Sequence, residues 1–274
     1  MNPLDPRLHP YRDDLAAEHL QGQVPSAKFV PGVAHQVVIP HAALTEGPRP
    51  TARAVSQLLL GEPFTVYESE AGWAWGQCGI DGYVGYVRAD ALGAKFADPT
   101  HVVSAAHTLV FAESHFKSPV IEELSALSRV RVTDMGPRYA ELESGGFVDA
   151  SHLIAVGEFL PDFVETALRF VETPYRWGGR SGFGIDCSGL VQGALALAGV
   201  PALRDTDMQA ASLGEEVAGS LRRGDLVYWP GHVAMLLDEK TVVHSASTPL
   251  KVCVEPLDVV QLRNRAVVCH RRVG

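Results

Sequence analysis

"GIDCSGLVQGALALAGV", residues 184–200, decides the reading of this chain. Cys187 stands between an aspartate and a serine, and the chain then turns apolar. Leu190, Val191, Ala194, Leu195 and Ala198 recur at helical spacing and form a core stripe, with Gly199 near its end. This places Asp186 or Cys187 near the helix N-cap, with Ser188 and Gly189 in the first turn. Unpaired amides and the helix dipole favour negative charge there. A thiol at that position can have its pKa drawn from ~8.5 to ~3.5–7.5. The small residues Ser188 and Gly189 would leave room for a substrate carbonyl. The bland alternative is a small buried hydrophobe, and a lone cysteine at a helix start does not decide between the two.

A base is the next requirement. His232 opens an apolar strand in "WPGHVAMLLD", and "VVHSAS" puts His244 at the end of the following strand. A reversal between the two strands brings both imidazoles to one sheet end. His244 could then accept from and orient His232, which is the nucleophile–base–orienter order of a cysteine triad. Upstream, "TPYRWGGRSGFGIDC" offers Tyr175 and the Cys187 amide as oxyanion donors, with glycines making a tight loop into the helix.

Around this core the chain divides by pattern. Residues 1–35 are polar and proline-punctuated, with a short helical pattern at "RDDLAAEHL", and read as an N-terminal arm. Residues 36–97 read as a small all-β barrel: "HQVVIPHAALTEGP" is a strand and a turn, and Asp81–Gly82 marks a hairpin. Residues 98–157 repeat the plan imperfectly at a period of about 60 residues. From residue 158 to 274 the expectation is helix, helix, then antiparallel sheet, an α+β plan. The first of those helices covers "LPDFVETALRFVET", with Pro161 in its first turn and Thr173–Pro174 at its end.

Composition narrows the partners. The 274 residues are 46% hydrophobic and 20% charged, which is an ordinary globular balance. Net charge is −9, from 32 acidic against 23 basic residues, so neither nucleic acid nor an anionic membrane is the expected partner. No run reaches ~18 apolar residues and no signal-peptide core is visible, so a cytoplasmic location is the expectation. The four cysteines form no C-x-x-C pair. Cys78, Cys253 and Cys269 lie in strand-like runs and read as core residues. No cofactor or metal is expected, and the oligomeric state is not legible.

"TPYRWGGRSGFGIDCSGLVQ", "LRRGDLVYWPGHVAMLL" and "VVHSAS" together resemble the NlpC/P60 family of papain-like cysteine peptidases. The resemblance covers residues 158–274. It implies Cys187 as nucleophile, His232 as base, His244 as orienting residue and Tyr175 as oxyanion donor. It also implies cell-wall (murein) peptides as substrate, cut between γ-D-glutamate and a diamino acid. "GYVGYVRADAL" resembles a bacterial SH3-like module, and "GGFVDASHL" does so more weakly. A subgroup of the family carries tandem modules of this kind. Its members resemble dipeptidyl peptidases that require a free N-terminal L-Ala and act in murein peptide recycling. That likeness implies Asp205, with Thr206 beside it, as the holder of the substrate amine, Asp207 being the rival carboxylate. It implies Tyr86 as an aromatic wall, with Tyr83 and Trp75 behind it. Ser188 and Trp177 complete the expected substrate-binding set. Two rival functions are a wall-peptide-binding protein without catalysis and a related cysteine amidase or acyltransferase.

Overall fold

The computed structural model describes residues 4–94 and 98–274. The first three residues of the arm and the expected module boundary at 97 lie outside the described residues. Two compact units emerge: residues 1–101, 109–124 and 128–150 form one, and residues 102–108, 125–127 and 151–274 form the other.

In the first unit the arm is not helical. Ala16–Ala17 pairs in parallel with Phe29–Val30, and only a 3-10 turn, Glu18–Leu20, follows. Leu15, Ala16, Ala17 and Leu20 are all buried, so tertiary pairing overrides the weak helical propensity of so short a run. The SH3-like module is a seven-stranded antiparallel sheet. Its spatial order is Ala54–Leu59, His41–Thr45, Val84–Arg88, Trp73–Cys78, Pro63–Glu70, Val33–Val37 and Leu92–Gly93. The single strand expected in "HQVVIPHAALTEGP" is two strands, Val33–Val37 and His41–Thr45, interrupted at Pro40, which has no N–H to give to a ladder. The hairpin at Asp81–Gly82 forms as expected: Asp81 Oδ1 accepts from the Tyr83 amide at 3.0 Å, and Gly82 takes φ +75°. Further along, Val132–Met135, Tyr139–Leu142 and Phe147–Asp149 form an antiparallel meander.

The second unit holds four helices: α1 (Phe163–Leu168), α2 (Cys187–Leu197), α3 (Thr206–Ser212) and α4 (Leu257–Arg263). Its sheet comprises β1 (Glu215–Glu216), β2 (Leu226–Trp229), β3 (His232–Leu236), β4 (Thr241–Ala246), β5 (Lys251–Pro256) and β6 (Cys269–Arg272). The spatial order is β1-β6-β2-β3-β4-β5, and every pairing is antiparallel. Leu190, Val191, Ala194 and Leu195 of α2 pack with Tyr228, Val233, Met235, Val243 and Val252 in one core. Val260 of α4 packs with Trp229, Ala234, Leu236 and Val242 in another. The alternation of each strand thus feeds two cores, with the sheet between α2 and α4. Fully burying one such leucine stabilises by about 1.5–3 kcal/mol.

Three details depart from expectation. Helix α1 is shorter: Asp162, not Pro161, sets its start, accepting from the Val164 and Glu165 amides at 2.9 and 3.1 Å. Helix α4 has no counterpart in the sequence reading. The stretch 98–157 is shared between the units: 102–108, 125–127 and 151–157 group with the second. There Ala126 is fully buried in the α2 core, and Ser125 Oγ accepts from the Gly182 amide at 2.8 Å.

Candidate active site

Helix α2 begins at Cys187, and Asp186 is its N-cap. The Asp186 carboxylate accepts from the amides of Gly189 at 2.8 Å and Gly178 at 2.9 Å. Both Arg204 guanidinium nitrogens reach it as well, at 3.0 and 2.6 Å. Arg204 is almost fully buried, so this is an enclosed ion pair, fixed by bonds on every side. Arg204 also donates to Ser188 Oγ at 2.9 Å, and Gln209 on α3 donates to the Ser188 carbonyl at 3.0 Å.

These bonds correct the reading of the two small residues after Cys187. Ser188 is 5% exposed and its hydroxyl is engaged by Arg204 and Asp186, so it braces the helix start rather than opening a place for substrate. Gly189 is small because a Cβ there would lie 2.3 Å from the Gly179 carbonyl oxygen. The helix mouth is seated directly on the glycine loop.

The thiol of Cys187 is 6% exposed. It points its weak S–H donor at the Gly231 carbonyl oxygen, 4.0 Å away, and the Val233 amide bonds toward the sulfur. Those are the two neighbours of His232 in the chain, so the helix mouth meets the start of β3 at that residue. Burial pushes the thiol up to about 12, and the Asp186 charge pushes the same way. The Val233 and Ser188 amides and Arg204 oppose this and lose. Burial first, and then the Asp186 carboxylate at the helix end, keep the thiol protonated where position alone suggests a thiolate.

His232 Nε2 lies 2.8 Å from His244 Nδ1, and His244 Nε2 lies 2.9 Å from Glu255 Oε2. Arg263 on α4 closes the series with a 2.6 Å ion pair to the same Glu255 oxygen. Burial, and then the charges of His244 and Arg263, lower His232 to about 4. Burial lowers His244 too, more than the bond and charge of Glu255 raise it. Burial works to raise the Glu255 carboxyl, but the bonds from Arg263 and His244 hold it below the usual carboxylate range. At neutral pH the pair is therefore thiol and neutral imidazole, with an ionised carboxylate behind it. For His232 to accept the thiol proton on Nδ1, its Nε2–H must donate to His244 Nδ1, and His244 Nε2–H to Glu255.

A cleft of about 550 Å³ opens on this series, lined by Tyr175, Trp177, His232, His244, Arg263 and Asn264 among others. Tyr175 is held by a bridge to Ile185, two residues before Cys187. Burial first, then the charges of Cys187 and Asp186, raise its phenol, so it is a hydrogen-bond donor throughout the neutral range. Trp177 is 56% exposed on the cleft wall.

Asp205 takes the N-cap position of α3, half-buried, without a capping bond to that helix's amides; Thr206 begins the helix and is also half-buried. Asp207 is exposed. Tyr86 lies in the first unit, where its hydroxyl accepts from Arg12 at 2.8 Å, and the Arg12 guanidinium stacks 4.4 Å over Trp75. Trp75 and Tyr83 are buried.

Two members of the histidine series were not anticipated, Glu255 and Arg263. A signal for the first exists. Cys253 pairs with His244 and Glu255 with Val242, so Glu255 shares the face of His244 one position along the ladder. A charged residue in the alternating run "KVCVEPL" at that phase could have been found by pairing the strands. Arg263 carried no such signal, because it arrives on the unanticipated α4.

Comparisons against known proteins match two segments of the chain. Residues 172–271 match the NlpC/P60 family, and residues 44–92 match the bacterial dipeptidyl-peptidase SH3 domain. The chain therefore combines an NlpC/P60 domain with an SH3 domain, and the former is of the cysteine peptidase type. Among relatives, it is 40% identical over 110 residues to dipeptidyl-peptidase 6 of Lysinibacillus sphaericus, covering 40% of this chain and 41% of that protein's length. It is 25% identical over 235 residues to a gamma-D-glutamyl-L-lysine dipeptidyl-peptidase of Bacillus cereus, covering 74% of this chain and 70% of that protein. An NlpC/P60 family protein from Bacillus cereus shares the fold, with a TM-score of 0.75 at 19% identity over 87% of this chain and 99% of that one. Among the described residues no helix is long and apolar enough to cross a membrane.

Proposed function

We propose that this protein is a thiol peptidase that hydrolyses the bond between γ-D-glutamate and a diamino acid in murein peptides with a free N-terminal L-Ala. The observation that carries this reading is the series His232–His244–Glu255 beside the enclosed thiol of Cys187. The names of the relatives support the substrate class: dipeptidyl-peptidase and gamma-D-glutamyl-L-lysine dipeptidyl-peptidase.

His232 Nδ1 takes the thiol proton as the sulfur attacks the γ-glutamyl carbonyl carbon. The charge that develops on the carbonyl oxygen is held by the Tyr175 hydroxyl and the Cys187 amide. The imidazolium so formed is stabilised through His244 by the ionised Glu255. His232 then gives its proton to the departing amine, leaving a thioester. Water attacks that thioester while His232 takes its proton, and the tetrahedral species collapses to release L-Ala-γ-D-Glu and restore the thiol.

Asp205 is assigned the substrate ammonium. A half-buried carboxylate at the start of α3 favours a charged amine over an acylated one. A free-amine requirement suits peptides already released from the wall, and hence recycling. Residues 98–157 are read as a degenerate second SH3-like module, on their echo of 36–97 and their strand meander. The test compares L-Ala-γ-D-Glu-diamino acid peptides with their N-acetylated forms. Turnover is expected only for the free amine, and Asp205→Asn is expected to raise KM for it. Equal rates on both peptides would remove Asp205 from this role.

A further inference from the structure

Beside the proton series stands a thiol that the peptide chemistry does not use. Cys253 faces His244 across the β4–β5 ladder, and Glu255 follows on the same face of β5. One ligand atom from each of His244, Cys253 and Glu255 lies within 4.8 Å of the others, and Nε2 is the His244 ring atom bonded to Glu255. One imidazole, one thiol and one carboxylate on two paired strands make a mixed N/S/O donor set of the kind that suits zinc. Tetrahedral coordination with ~2.3 Å to sulfur and ~2.0–2.2 Å to nitrogen and oxygen sets ligand separations of about 3.3–3.8 Å. The 2.9 Å His244–Glu255 bond has to open by a few tenths of an ångström. Arg263 would be displaced from Glu255, and its side chain is 35% exposed and can turn to water. The cleft lined by His244 and Arg263 gives access.

We propose that His244, Cys253 and Glu255 form an inhibitory site for a soft divalent cation of the zinc class, with water as fourth ligand. The site stands on its own geometry; the inhibition rests on the peptidase reading. Its mechanism is a change of tautomer. A metal on His244 needs the Nε2 lone pair, so the ring proton moves to Nδ1. That Nδ1–H now donates to His232 Nε2, which must become the acceptor. The proton of neutral His232 is then on Nδ1, toward the thiol, where the base needs a lone pair. Cys253 gives its thiol proton to solvent on binding, and no electron is transferred. One ion thus reverses the whole series without touching Cys187.

The experiment uses the full chain carrying Cys187→Ala, which removes the other thiol that could bind metal at the histidines. Zinc is titrated calorimetrically, and cobalt(II) is used as an optical probe, since a thiolate ligand gives a sulfur-to-cobalt charge-transfer band. One ion per chain and the band are expected. In Cys187→Ala/Cys253→Ser the band should vanish and zinc affinity should fall by about 100-fold, at least the loss seen when a supporting metal-site residue is removed. Glu255→Gln in the Cys187→Ala background should weaken zinc while keeping the cobalt band. The absence of stoichiometric binding, or a band that survives Cys253→Ser, overturns the site. In the chain with Cys187 intact, zinc should stop peptide hydrolysis, and Cys253→Ser should raise the inhibitory concentration by at least tenfold, each variant normalised to its own metal-free rate. Binding without inhibition overturns the tautomer mechanism. Failure of the peptidase reading is distinguishable, because it shows as no cleavage in metal-free protein.

Discussion

Two carboxylate–arginine pairs flank the site, and they do different work. Asp186–Arg204 lies under the thiol's helix, with Arg204 at 1% side-chain exposure and four donors on the carboxylate besides Ser188. Glu255–Arg263 lies behind the histidines, with side chains 21% and 35% exposed. The first pair seats α2 on its glycine loop, and its carboxylate raises the pKa of the neighbouring thiol. The second holds an imidazole in one tautomer and leaves its arginine in reach of water. The same chemical pairing thus serves architecture where it is enclosed and proton positioning where it is half-open. The difference follows from desolvation: an enclosed charge cannot lose its partner without a large penalty, and a half-open one can.

The largest expected effect falls on the enclosed pair. Arg204→Ala should cost about 3–5 kcal/mol of folding stability, because it leaves Asp186 buried and uncompensated. Chemical denaturation measures this. A loss below about 1 kcal/mol would erase the contrast between the pairs. Next comes the open pair. Glu255→Gln should lower kcat about tenfold, equivalent to about 1.4 kcal/mol in the transition state, with little change in melting temperature. A melting temperature that falls as far as in Arg204→Ala would make the second pair structural as well.

The smallest expected effect is in pH dependence. His232 is depressed from its ordinary 6.5 to about 4. The folded chain keeps this ring neutral where the unfolded chain protonates it. Its contribution to stability is therefore complete above about pH 6.5 and is lost as pH falls through about 4. The acid limb of kcat/KM for the free enzyme should likewise lie nearer pH 4 than 6.5, and Glu255→Gln should shift it. A limb at 6.5 in the unaltered chain would contradict the enclosed, neutral pair.

The same contrast explains what could be read from the sequence. Cys187, the stripe of α2 and the strands bearing His232 and His244 are local patterns, carried by periodicity and by Pro-Gly punctuation. The order helix, helix, antiparallel sheet follows from them. What escaped depends on partners distant in the chain. Asp186 could be placed near a helix start, but its bond to Arg204 could not be, since nothing periodic links residues 186 and 204. Glu255 becomes meaningful only once β4 and β5 are in register, and Arg263 only once α4 exists. The thiol was expected to be acidified by the helix end, and burial with a capping carboxylate reverses that. The arm looked helical because the four apolar residues Leu15, Ala16, Ala17 and Leu20 suit either state, and burial beside Phe29–Val30 selected the strand.

The most direct test of the central claim is product analysis by mass spectrometry with a synthetic L-Ala-γ-D-Glu-diamino acid peptide. The unaltered chain should release L-Ala-γ-D-Glu and the free diamino acid, and Cys187→Ala, folded by circular dichroism, should release neither. Cleavage by Cys187→Ala at the unaltered rate would contradict the account.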